Sequence, residues 1–283
     1  MSETASTTVT RRWRWGISAA AFVVLAGIGV WLMVPKPTTN VAAPELAATQ
    51  LDALTETTVL FGHQSVGANI LDGVAGMYAD AGRTAPEIVQ DEGEAQTDAS
   101  IVHAFVGVNG DPLGKFTAFR DLVDGPAGDA ASVAIVKLCY TDITSSTDAA
   151  SVFDEYTTLM EDLEARHPDI TFLYATVPLT TDRSWGANIK AFFGSDDRMG
   201  PADNRVREQY NALIREEYVD SGRLFDIAAV ESTMSTEPAV RSQDGEVYHV
   251  LNAALSSDAG HLSELGSRVA AAELIRVIAD VRS

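Results

Sequence analysis

Apolar positions in this chain fall into three kinds of run. The first is unbroken: Gly16 to Val34 contains no charged residue. The second is short and rich in β-branched residues, and predicts strands over 58–64, 101–108, 132–140, 169–177 and 223–228. The third repeats at spacings of three and four, and predicts helices over 67–81, 115–124, 149–166, 203–221 and 263–281. Strands separated by helices imply right-handed crossovers and a parallel sheet covered on both faces. The pattern therefore predicts a three-layer α/β/α sandwich with a flavodoxin-like parallel sheet, preceded by one N-terminal transmembrane helix. In such a sheet a ligand site lies at the carboxyl ends of the strands. The irregular stretch 180–202, with Trp185, Gly186, Gly194, Asp196, Asp197, Gly200 and Pro201, falls on that side, either as a lid or substrate wall or as a plain connection.

The unbroken run of nineteen residues would span about 28 Å as a helix, close to the hydrocarbon thickness of a bilayer. Arg11, Arg12 and Arg14 precede it, and Trp13, Trp15 and Trp31 stand near its ends. The positive-inside rule then assigns 1–15 to the cytoplasm, 16–34 to a single-pass signal anchor and everything beyond to the outside of the cell membrane. Residues 35–56, rich in Pro, Thr and Ala, read as a linker, and 57–283 as the folded domain. Cleavage after Val41-Ala42-Ala43 is the competing reading. An uncleaved anchor is preferred, because Pro44 follows directly and the site lies far past the apolar run. A twin-arginine export signal is discounted, since Arg14 stands where that signal carries an apolar residue.

Charge narrows the partners. The chain carries 40 acidic against 20 basic residues, a formal net charge of -20. That argues against nucleic acid, whose binding draws on a basic face. The acids are spread along the chain and read as a solvated surface; Asp91, Glu92, Glu94 and Asp98 lack the spacing of a calcium loop. The single cysteine, Cys139, sits in an apolar run, which excludes a disulfide framework and a cysteine-based zinc site. No metal and no cofactor are expected.

Two places carry candidate chemistry. Ser65 closes the first predicted strand and opens a helix, in Gly62-His63-Gln64-Ser65-Val66-Gly67. A strand-to-helix turn lifts a hydroxyl above the sheet edge and offers helix N-terminal N–H groups to an oxyanion, although a serine there also serves as a plain helix cap. Asp258 and His261 lie three apart at the mouth of the last helix. A carboxylate so placed orients an imidazole toward a serine; alternatively Asp258 or Ser263 only caps the helix and His261 is a surface residue. His63, two residues before Ser65 on a strand, would point to the serine's side for substrate contact or pKa tuning, or else bond structurally to a neighbouring loop. His103 and His249 stand isolated, and His167 reads as a surface residue at a helix end.

On these residues the chain resembles the SGNH/GDSL-type hydrolases, from about Val59 to Val277. The resemblance is closest to a group whose first motif reads Gly-His-x-Ser-Val-Gly, and extends to Val106–Pro112, Lys137–Asp142 and Thr176–Thr180. It implies Ser65 as nucleophile, His261 as general base and then acid, and Asp258 as its orienter. It also implies oxyanion donors at the Ser65 N–H, the backbone around Gly107 and the Asn109 side chain. The family's third block offers an asparagine donor where this chain has Thr141, so either the Thr141 hydroxyl or Asn109 stands in. The implied activity is a serine esterase working through an acyl-enzyme on a small-molecule or glycan ester, with acyl transfer to another hydroxyl open to the same residues. The competing expectation is an envelope-anchored binding or scaffolding domain that keeps the fold and has lost catalysis, motivated by the altered third block.

Overall fold

A computed structural model of the chain describes residues 44–93, 100–182, 198–234 and 237–283. The expected transmembrane segment, 16–34, lies outside the described residues, as do 183–197 of the irregular stretch. Among the described residues no helix is long and apolar enough to cross a membrane.

In chain order the main elements are α1 (Ala48–Thr55), β1 (Val59–His63), α2 (Ser65–Asp80), β2 (Glu87–Gln90), β3 (Ser100–Phe105), α3 (Pro112–Val123), α4 (Pro126–Asp129) and β4 (Val133–Val136). They continue with α5 (Ala149–Arg166), β5 (Thr171–Ala175), α6 (Pro201–Tyr218), β6 (Leu224–Phe225), α7 (Ile227–Ser232) and α8 (Glu264–Arg282). Two small antiparallel pairs between α7 and α8 complete the order.

The strands form one sheet in the order β2-β3-β1-β4-β5-β6, parallel throughout. Without the edge strand β2, the remaining five follow the flavodoxin-like order 2-1-3-4-5. All five residues of β1 are buried, as a central strand covered on both faces requires. Val59 and Phe61 pack with Ile70 and Val74 of α2 and Ile275 of α8; Leu60 packs on the other face with Phe119 of α3 and Tyr156 of α5. The chain thus leaves β1 toward one face of the sheet, while its two neighbours β3 and β4 both lead to helices on the opposite face. That divergence opens a crevice at the carboxyl end of β1, where Ser65 stands.

The segment read as linker is helical at its end. In α1, Leu51 and Leu54 are buried, and Tyr78 Oη donates to the Leu51 carbonyl at 2.6 Å. Two leucines three apart give a short helix one apolar edge, and docking on α2 and α8 supplies the stability that eight residues lack alone. The strands expected over 101–108 and 132–140 end earlier, at Phe105 and Val136, where their residues turn to form the site.

Candidate active site

β1 runs into α2 through a single residue. Gln64 is extended at φ -134° and occupies the N-cap position, so Ser65 is the first residue of the helix and not its cap. Gln64 Nε2 donates to the carbonyls of Val106 at 2.9 Å and Gly107 at 3.2 Å, which ties this turn to the loop after β3. The two glycines of the motif are there for close approach. A Cβ at position 62 would lie 2.8 Å from the Phe119 ring, and one at position 67 would lie 2.3 Å from Cβ of His63.

Asp258 and His261 sit in a turn ahead of α8. Asp258 Oδ1 accepts the N–H of Gly260 at 2.9 Å and of His261 at 2.8 Å, and Ser257 N–H donates to the His261 carbonyl at 2.9 Å. The cap of α8 is Ser263, whose side chain accepts from the Gly266 N–H, so the Asp258 carboxylate is left for the imidazole. His261 Nδ1 lies 2.8 Å from Asp258 Oδ2, and His261 Nε2 lies 3.0 Å from Ser65 Oγ. Partial burial works against ionisation of Asp258, but the Gly260 N–H, the His261 ring and the His261 N–H outweigh it and hold the carboxyl below its ordinary range. An ionised carboxylate only accepts, so the proton of the neutral ring belongs on Nδ1 and Nε2 is free to accept from the serine hydroxyl. The Tyr140 ring meets His261 edge-on at 6.1 Å, and Gly260 leaves room for it, since a Cβ there would lie 2.6 Å from that ring.

The loops after β3 and β4 are joined through one buried carboxylate. Asp142 accepts the N–H of Gly110 at 2.7 Å, the N–H of Cys139 at 2.5 Å and the Lys115 ammonium at 2.6 Å. Lys115 also donates to Asn109 Oδ1 at 2.9 Å, which fixes the amide so that its N–H pair is free for another acceptor. Gly107 has φ +58°, and a Cβ on it would lie 2.9 Å from the Lys115 backbone, so this turn demands glycine on both conformational and steric grounds. The Thr141 hydroxyl is buried and has no hydrogen-bond partner among the described residues. Among the described residues, Asn109 and Thr141 are thus both left with unspent donors.

The structure corrects one expectation. His63 is fully buried, packed beneath the first turn of α2 against Gly67, and cannot touch a substrate directly. Alternation along β1 does send it to the same face as α2, but the helix covers that face. His249 and His167 are bonded to Glu208 and Asp124. Gln64, Lys115, Asp142 and Arg207 carry supporting roles that sequence reasoning did not assign. Arg207 is buried and donates to the carbonyls of Tyr140 at 2.8 Å and Ile143 at 3.0 Å, bracing the loop beside His261. One signal for Asp142 was available: a carboxylate closing an otherwise apolar run is a buried charge in need of a partner.

No family model matches the chain, and no curated protein does. Three solved structures to which the chain is similar span most of their own lengths. The lipopolysaccharide acetyltransferase periplasmic domain of Salmonella ser. Paratyphi A is 11% identical, with 81% of this chain and 87% of that one covered and a TM-score of 0.44. The family 3 carbohydrate esterase of Clostridium thermocellum is 13% identical, with 80% and 96% covered and a TM-score of 0.45. Phospholipase A1 from Streptomyces albidoflavus NA297 is 10% identical, with 78% and 98% covered and a TM-score of 0.36.

Proposed function

We infer that the chain is a serine hydrolase of SGNH type, tethered to the outer side of a cell membrane by residues 16–34, that cleaves a carboxylic ester through an acyl-enzyme. The observation that carries this reading is the unbroken hydrogen-bond chain from Asp258 through His261 to Ser65, assembled from opposite ends of the domain. Ser65 Oγ attacks the ester carbonyl and gives its proton to His261 Nε2, with Asp258 stabilising the resulting imidazolium. The negative charge falls on the carbonyl oxygen, for which the donors on hand are the Ser65 N–H, the backbone at Gly107, and the Asn109 amide or the Thr141 hydroxyl. His261 then returns the proton to the leaving alkoxide. Water, or another hydroxyl in an acyl transfer, repeats the sequence on the acyl-serine and frees the enzyme. Location and resemblance point to a small acyl group on a glycan as substrate.

The scaffold reading predicts a serine turned into the core. Ser65 is instead half-buried with its hydroxyl on an imidazole, which favours the enzyme. The test uses the full-length chain in mild detergent with p-nitrophenyl acetate and a fluorophosphonate probe. Ser65→Ala should lower turnover by about 10⁴-fold or more and abolish labelling. Labelling that persists in Ser65→Ala overturns the assignment.

A further inference from the structure

The two ring nitrogens of His63 have different partners. Nδ1 lies 2.7 Å from the carbonyl oxygen of Gln64, and Nε2 lies 3.0 Å from Nδ1 of His103. A carbonyl only accepts, so Nδ1 carries a proton. Burial pushes the His63 pKa down to about 4; the bond to Gln64 opposes this, and the charges of Lys137 and His103 add to it. The ring is therefore neutral at pH 7, Nε2 is a bare acceptor, and His103 is the donor. The chain of bonds has a fixed direction, from His103 N–H to His63 and from His63 N–H to the Gln64 carbonyl.

That carbonyl belongs to the same peptide group as the Ser65 N–H. The group is planar and trans, so C=O and N–H point in opposite directions, and whatever holds the Gln64 oxygen also aims the Ser65 hydrogen. The oxygen takes the N–H of Gly67 at 2.8 Å and of Ala68 at 3.3 Å, contacts that any helix supplies to its N-cap. The imidazole is an extra donor, brought up from the strand below. A carbonyl that accepts several donors polarises its amide and strengthens the N–H on the far side. The ring can reach this place only because Gly67 has no side chain. Phe61 and Phe105 flank it at 4.7 and 5.1 Å between ring centroids and fix its plane.

We propose that His63, oriented by His103, is a positioning residue that aims and polarises the Ser65 N–H as an oxyanion donor. The proposal rests on the reading of Ser65 as nucleophile. It separates His63 from a mere core residue because it ties the effect to hydrogen bonding and not to volume.

The test measures p-nitrophenyl acetate turnover by the full-length chain. His63→Phe keeps a ring and loses both bonds; kcat should fall about 10- to 100-fold with KM within about twofold. His63→Asn fills the space less well but restores an N–H near Nδ1, and should recover kcat to within about fivefold of wild type. A packing role predicts the reverse order. His103→Leu, at a half-buried position, breaks only the outer bond and should lower kcat by about two- to fivefold at unchanged KM. The proposal is overturned by a wild-type kcat in His63→Phe, or by His63→Asn falling below His63→Phe. If His63→Phe does not fold, a wild-type kcat in His103→Leu overturns it. Should Ser65→Ala keep wild-type turnover, the nucleophile and this proposal fall together; an inactive Ser65→Ala beside a wild-type His63→Phe removes this proposal alone.

Discussion

The two ends of the central sheet are built from different materials. At the amino end, where α1 and the last turns of α8 close over the strands, the interior is made of Leu51, Leu54, Val59, Ile101 and Ile278. At the carboxyl end the interior holds His63, Lys115, Lys137, Asp142, Asp203, Arg207 and Glu231, all buried. Burial alone disfavours each of these charges. It pushes the Glu231 carboxyl up to about 8 and the Lys137 ammonium down to about 8, with each partly offsetting the shift of the other. A fold selected only for stability would fill both ends alike, since apolar replacements of buried ion pairs are often neutral or stabilising. The polar interior at one end is thus better explained by what it holds in place: the loops that carry Asn109, Thr141, Tyr140 and the Ser65 turn.

The largest effect should come from breaking the central pair. Lys115 and Asp142 both have 0% side-chain exposure. Asp142→Leu strands a buried ammonium and removes the acceptor of two backbone N–H groups, so urea unfolding should show a loss of about 3–5 kcal/mol, with turnover falling as Lys115, which holds Asn109, loses its own partner. Lys115→Met in the same chain should recover much of the stability and none of the turnover. If the double variant regains activity, the carboxyl-end charges are not holding the site, and the contrast between the two ends loses its meaning.

Leu54→Ala probes the other end. It should cost about 2–4 kcal/mol by leaving a cavity, yet leave kcat within about twofold, because Leu54 packs in the apolar interior at the amino end of the sheet. A kcat that falls in step with stability would show that the two ends are mechanically one.

The third test uses protons. The folded pKa of His63, about 4, lies below the ordinary 6.5. Unfolded chains therefore bind a proton between these values that the folded chain refuses. The stabilisation from the neutral ring is complete above pH 6.5 and is lost as pH falls toward 4, by up to about 3 kcal/mol. Unfolding free energies of wild type and His63→Phe, measured across pH 7 to 4, should diverge by that amount. Parallel curves would mean that folding does not lower the His63 pKa, and that burial does not hold the ring neutral.

Much of this was legible in the chain, and the limits have physical causes. Alternation of strand and helix patterns located five strands of the sheet, because buried parallel strands read as continuous apolar runs. β2 escaped, since an edge strand reading Glu87-Ile88-Val89-Gln90 is short and carries polar ends. α1 escaped because its propensity is weak and its stability comes from docking. At the site, Ser65, Asp258 and His261 were visible as local signals 196 residues apart at most, and only the fold brings their atoms to hydrogen-bond distance. The role of Lys115 was illegible, since a lysine on a helix looks solvated until the two loops meet; Asp142, closing an apolar run, hinted at a buried charge but not at its partner. His63 was placed on the correct strand face, but nothing in sequence told that the helix would roof it.

The smallest effect concerns that roof, and two opposing terms decide its sign. Gly67 lies within the first turn of α2 and has no positive φ, so an alanine there should help the helix by about 1 kcal/mol. Against this, the new Cβ would stand 2.3 Å from Cβ and Cγ of His63, atoms close to the strand backbone that cannot swing aside. Overpacking of this kind typically costs about 1–3 kcal/mol, so Gly67→Ala should be net destabilising by about 1 kcal/mol. The more telling consequence is local, because relief of the clash requires helix and strand to separate at the turn that holds Ser65. Turnover should therefore fall more than the small stability change alone would produce. Combining Gly67→Ala with His63→Gly takes away the clashing Cβ and Cγ, so it should regain the stability lost to the clash while leaving turnover low. A double variant that recovered both would mean that the ring only fills space beneath the helix, and that the polar end of the sheet, at this position, is no different from the apolar one.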